Sequence, residues 1–66
     1  MSYETFITTC MRMRTRNPAW RKGQTYYNVL SQVRPDLCER IRTSKLDPFY
    51  MDERIPAFLE WVKANW

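Results

Sequence analysis

Histidine is absent from this chain, glycine occurs once, and there are only two cysteines. Each shortage removes a class of chemistry. Histidine is the usual general base near neutral pH and the commonest metal ligand. Glycine-rich loops are how small folds cradle phosphate groups. A disulfide-stapled mini-protein carries about four to eight cysteines. Neither Cys10 nor Cys38 belongs to a C-x-x-C pair of the kind that holds zinc, and both read as small buried thiols. No run of about 18 apolar residues exists, so no membrane span is expected. The polar start Met1-Ser2-Tyr3-Glu4 lacks the apolar stretch of an export signal, which makes the cytoplasm the expected compartment. The expectation is a non-enzymatic protein with no cofactor, no metal and no membrane.

Aromatic residues are what the chain has in quantity: three tryptophans, four tyrosines and three phenylalanines. A chain this short buries only about 60% of the surface its unfolded form exposes. It therefore needs a staple or a dense set of large apolar side chains. The aromatic and aliphatic content supplies the second.

The apolar positions repeat at helical pitch, and no stretch alternates with period two. Ser2 is placed to cap a first helix over 3–15, whose inner face carries Tyr3, Phe6, Ile7, Cys10, Met13 and Arg14. Arg12 and Arg16 fall on its other face with Thr5 and Thr9. Asn17-Pro18 predicts the start of a second helix over 18–33, with Trp20, Gly23, Tyr27 and Leu30 as its stripe. Gly23 on that stripe signals close approach of another backbone, or else a break that leaves a turn at 18–22 and a helix from 24. Arg34-Pro35 ends the segment. Asp36 then caps a short third helix, with Glu39 completing a capping box and Leu37 and Ile41 facing inward. Residues 44–51 form a loop too apolar to hang free, a plug over the core. Asp52 caps a last helix over 53–65, on which Ile55, Phe58, Leu59, Val62 and Trp66 share a face. The fold class is all-α: a single helical domain over 1–66, with three main helices and one short one.

Charge is uneven. Arg12, Arg14, Arg16, Arg21 and Lys22 lie within one stretch that contains no acid, against a net charge of +4 for the whole chain. Such a cluster suits an acidic protein surface or phosphate. For a protein partner the candidate contacts are Arg12, Arg16, Arg21, Gln24 and Asn28 on a polar, basic face, with Trp61 as an apolar anchor. Gln24 and Asn28 are one helical turn apart. The alternative is a nucleic-acid-binding accessory protein using Arg12, Arg14, Arg16, Arg21, Lys22, Arg40 and Arg42. In that reading the second and third helices loosely resemble a helix-turn-helix, and Trp20 is either a core residue or a platform for a base. For nucleophilic catalysis, neither cysteine has a histidine to activate it.

The stretches Trp20-Arg21-Lys22-Gly23-Gln24-Thr25-Tyr26-Tyr27-Asn28-Val29-Leu30, Val33-Arg34-Pro35-Asp36-Leu37 and Leu46-Asp47-Pro48-Phe49-Tyr50 resemble short uncharacterised proteins of bacteriophages and prophages. The resemblance implies a phage-encoded protein acting in the bacterial cytoplasm, where it binds a host protein or a second copy of itself. It carries no activity with it.

Overall fold

The computed structural model describes residues 1–66 as four helices and no strand. They are α1 (Tyr3–Arg16), α2 (Lys22–Val33), α3 (Pro35–Ile41) and α4 (Ile55–Asn65), the last entered through a 3-10 turn at Asp52–Arg54. The all-α expectation, three main helices and one short, holds. The start of α1 is the expected one: the Ser2 hydroxyl accepts the Thr5 N–H at 3.1 Å. Phe6 and Cys10 are buried, and Tyr3, Ile7 and Met13 pack at the core's edge.

The second helix begins later than the spacing predicts. Asn17 does not open α2; it closes α1, because its N–H and its side-chain amide both donate to the Met13 carbonyl, at 2.9 and 3.0 Å. Asparagine can end a helix as readily as begin one, and here the orphan carbonyl of α1 took it. Residues 18–20 form a turn. Trp20 therefore falls off the stripe: it is half-buried and lies outside the core cluster, contrary to its reading as a core residue. The buried face of α2 is Gly23, Thr25, Tyr26, Val29 and Leu30. Thr25 sits on the inside rather than the polar side, its hydroxyl satisfied by the Arg21 carbonyl at 3.0 Å.

α2 is the central element, packed against both α1 and α3. Arg34 alone separates α2 from α3, and Pro35 takes the first position of α3, where a missing N–H costs nothing. Asp36 is thus inside the helix rather than its cap. Its carboxylate receives two hydrogen bonds from the Arg34 guanidinium, at 3.0 and 2.9 Å. Glu39 stands 3.7 Å from Arg42 instead of closing a capping box. Leu37, Cys38 and Ile41 are buried.

The plug forms in part. Pro48 is buried and Leu46 and Phe49 are half-buried, while Tyr50 and Met51 point outward. Asp52 does not cap α4 as expected. It reaches across to α2, where its Oδ1 accepts the Gly23 N–H at 2.9 Å. α2 has no acid in its own first turn, so Asp52 both satisfies an orphan donor and places negative charge at the helix's positive end. On α4, Ile55, Phe58 and Val62 are buried. Trp66 then closes the far end, its ring 5.4 Å from Phe6 and 6.1 Å from Tyr3, its indole N–H donating to the Met1 carbonyl. The Cα radius of gyration is 10.6 Å, against about 11 Å for a compact chain of this length. Both thiols are free, so the core closes without a disulfide.

Gly23 tests this architecture. Helix propensity alone predicts that Gly23→Ala gains about 1 kcal/mol. A Cβ there would lie 1.9 Å from the Pro48 carbonyl oxygen, and overpacking of that severity costs about 3 kcal/mol. Urea denaturation of Gly23→Ala is expected to show a clear loss. Asp52→Ala, which removes only the cap, is expected to lose about 1 kcal/mol.

Candidate functional site

Arg12, Arg14, Arg16, Arg21 and Lys22 are all exposed. The fold's ion pairs are Arg34–Asp36 at 2.9 Å and Arg42–Glu39 at 3.7 Å, and none of those five cations takes part in either. Arg12 and Arg16 stand one turn apart on α1, on the side away from Phe6 and Cys10. Arg14, which the periodicity puts on the inner face, is nevertheless exposed. With Met11, Thr15 and Pro18 it lines an open depression of about 400 Å³. Arg21 and Lys22 sit at the start of α2, where a helix dipole disfavours cations; the Asp52 carboxylate offsets that. The Arg21 guanidinium lies over the Tyr50 ring, 5.9 Å from its centre.

The remaining candidates are less free. Gln24 uses its side-chain carbonyl to accept the Arg21 N–H at 3.3 Å, so part of the amide serves the start of its own helix. Asn28 is half-buried one turn later. Trp61 is packed against the core's edge, and the Arg40 guanidinium covers it at 5.0 Å. Arg40 and Arg42 are exposed. The helix-turn-helix likeness fails on geometry. That motif joins its helices by a turn of about 3–4 residues, whereas Arg34 stands alone between α2 and α3. α3 itself is 7 residues long and buries Leu37, Cys38 and Ile41.

Burial pushes the Cys10 thiol up to about 12 and raises the Cys38 thiol as well. Neither is a thiolate at neutral pH, the form needed for nucleophilic attack or metal ligation. No group of three or more cysteine or carboxylate side chains is placed to hold a metal ion. No helix is long and apolar enough to cross a membrane.

One feature escapes the periodicity altogether. A cleft of about 210 Å³ is lined by Tyr27, Arg42, Thr43, Asp47, Phe49 and Tyr50. Its Arg42–Thr43 wall is the centre of a type II turn over Ile41–Ser44: the Ser44 N–H donates to the Ile41 carbonyl at 2.9 Å, and Thr43 takes a φ of 61°. Glycine or asparagine is usual at that position, and a β-branched residue there is strained. Asp47 holds it, accepting the Thr43 N–H at 2.9 Å and the Phe49 N–H at 3.0 Å. Burial pushes the Tyr27 phenol up to about 12. The available signal was the density of aromatic residues in the 46–51 loop, which reads equally well as core.

No protein-family model, no curated protein and no solved structure matches this chain.

The Arg34–Asp36 pair is the one strongly perturbed ion pair. The Arg34 hydrogen bonds hold the Asp36 carboxyl down at about 2. An unfolded aspartate titrates near about 3.9. The folded value is the lower one, so the pair stabilises above the unfolded value and that contribution is lost as pH falls through the folded one. An NMR titration is expected to place the Asp36 midpoint near 2, and Arg34→Gln to move it back toward about 4. An unmoved midpoint would place the cause elsewhere.

Proposed function

We propose that the chain is a non-enzymatic interaction protein whose basic face binds an acidic protein surface. The phage resemblance makes a bacterial host protein in the cytoplasm the first partner to seek, with self-association as the other form of the same reading. The observation that carries it is the free charge on one stretch of chain: Arg12, Arg14, Arg16, Arg21 and Lys22 are exposed and lack a carboxylate partner. Unpaired cations of one sign steer an acidic partner toward the face that carries them. Asn28 and the free part of Gln24 add hydrogen-bonding capacity beside them. The Arg40–Trp61 stack joins the two residue types that most often anchor interfaces.

A second reading, nucleic-acid binding through Arg12, Arg14, Arg16, Arg21, Lys22, Arg40 and Arg42, is favoured by Trp20. It stands within the basic stretch and outside the core cluster, where a base could stack on it.

Affinity capture from bacterial lysate, with the captured protein purified and its affinity then measured, separates the two. The protein reading expects an acidic partner whose affinity falls at least about tenfold on the double change Arg12→Glu and Arg16→Glu, since like charges across an interface cost several kcal/mol. The nucleic-acid reading expects generic single-stranded DNA to bind at low salt and to weaken steeply between about 50 and 200 mM. A basic face that retains neither partner would refute both.

A further inference from the structure

The outward side of α1 is a continuous seam. Glu4, Thr8, Met11 and Thr15 follow one another at four-, three- and four-residue spacing, so they form a single stripe. All four are exposed, Met11 at 63%, so no element of the fold covers them. Met1, also 63% exposed, stands just before the helix, and exposed Pro18 just after it. Pro18 belongs to the same side, because it shares an open depression with Met11, Arg14 and Thr15. The hydroxyls of Thr8 and Thr15 donate to the Glu4 and Met11 carbonyls one turn back, at 3.1 and 3.2 Å. Covering the stripe therefore strands neither donor.

This seam is its own complement. Positions mirrored about the middle of α1 pair off: Thr8 with Met11, Glu4 with Thr15, Met1 with Pro18. A second α1 laid antiparallel across a two-fold axis therefore meets the first in register. Each Met11 then packs on Thr8 of the other copy, and each Met1 falls opposite the other's depression. Glu4 arrives at the end of the facing helix where Arg12 and Arg14 flank the stripe. Within one chain these groups cannot meet, since Glu4 and Arg12 stand about 12 Å apart along the axis at about 1.5 Å per residue. None of the three takes part in the ion pairs Arg34–Asp36 and Arg42–Glu39. A parallel pairing would set Glu4 against Glu4 and arginine against arginine, and like charges brought together are costly. Repulsion thus excludes the parallel direction, and the packing of Met11 sets the register.

We infer that α1 of a second copy of this chain covers the seam, antiparallel and across a two-fold axis. The inference rests on the self-association form of the reading above and gives it an interface. A second copy is the occupant because it presents an unpaired acid and an exposed methionine at the mirrored positions. α1 has 14 residues and is about 21 Å long, so one helix against one helix makes a contact at the small, transient end of the range. A net charge of +4 on each copy opposes the approach further. Association is therefore expected at high-micromolar to millimolar concentration.

The experiment is sedimentation equilibrium of the full chain over a concentration series, with methionine-methyl NMR on the same samples. The average mass is expected to rise toward twice the 8.1 kDa of one chain. The Met1 and Met11 methyls are expected to shift with concentration, whereas that of Met51, 41% exposed and off the seam, stays in place. Met11→Glu, Glu4→Arg and the double change Arg12→Glu with Arg14→Glu are each expected to weaken association at least about tenfold. An equimolar mixture of the Glu4→Arg chain with the doubly changed chain is expected to pair again, because every acid in the seam then faces a base. Each altered side chain is exposed, and an unchanged melting temperature shows that the fold is kept. Should Glu4→Arg unfold for want of its first-turn acid, Met11→Glu, which touches no cap, decides alone. Folded variants that all still associate, or shifts at Met51 without Met11, overturn the seam and leave self-association standing. Folded variants that fail to pair in the mixture overturn the antiparallel arrangement. A chain that stays monomeric at millimolar concentration overturns the seam and self-association together, and leaves the host-protein form to the capture experiment.

Discussion

The close approach of Pro48 to Gly23 is the constraint on which the rest of this molecule depends. Only hydrogen can occupy the Cβ position there, because the Pro48 carbonyl oxygen fills it. That proximity brings the chain after Pro48 over the first turn of α2, so that Asp52 meets the Gly23 N–H. α2 therefore receives the partner of its Gly23 N–H from a residue 29 positions away, while the neighbouring Gln24 serves only the Arg21 N–H. One consequence is topological. The loop between α3 and α4 is seated on α2, so α4 enters the bundle at a defined place and delivers Phe58 against Tyr26 at 6.3 Å. The other is electrostatic, since Arg21 and Lys22 can stand at a helix N-terminus because a carboxylate stands there too.

The same junction marks where the chain was legible and where it was not. Helix number and inner faces followed from apolar spacing: Phe6, Cys10, Leu30, Leu37, Ile41, Phe58 and Val62 are buried where the pitch puts them. The special status of Gly23 was also visible, since a glycine on an apolar stripe needs a reason. Its partner was not, because local sequence carries no record of which distant carbonyl fills the space. Ser2 caps α1 as its position predicts, but the other expected caps failed for a related cause. Asn17, Asp36 and Asp52 are all good N-cap residues, and each found a stronger partner in three dimensions: an α1 carbonyl, the Arg34 guanidinium and the Gly23 N–H. A short polar side chain near a helix end signals that something is capped, but not which end or which helix.

The candidate surface divides along the same line. Exposure of Arg12, Arg16 and Arg21 was legible, since charged side chains off the apolar stripe face water, whereas Arg14, assigned to the inner face by its spacing, is exposed as well. The cleft was not. One of its walls depends on a type II turn at Thr43, a residue that turn does not favour, and on an aspartate four positions later that holds it there. Aromatic residues in a loop report burial and recognition with equal force. Only the folded arrangement separates Pro48, which is buried, from Tyr50, which is not.

The cations themselves fall into two groups. Arg21 lies over Tyr50, Arg34 over Trp66, Arg40 over Trp61 and Lys63 over Tyr3. About one such pair per 70–80 residues is usual, so this chain is rich in them. The reason is its size: a small core leaves aromatic rings at its rim, and a long basic side chain covers a ring while keeping its charge in water. A covered arginine has already given up much of its rotamer freedom, which lowers the entropic cost of docking a partner against it. Arg12, Arg14 and Arg16 on α1 have no such ring. They remain mobile point charges, suited to attracting an acidic partner from a distance and poorly suited to fixing its orientation. On the proposed reading, attraction falls to α1 and register to the stacked arginines, of which Arg21 stands beside the aromatic cleft. A partner drawn in by the first group gains specificity only if its own chemistry fits the second.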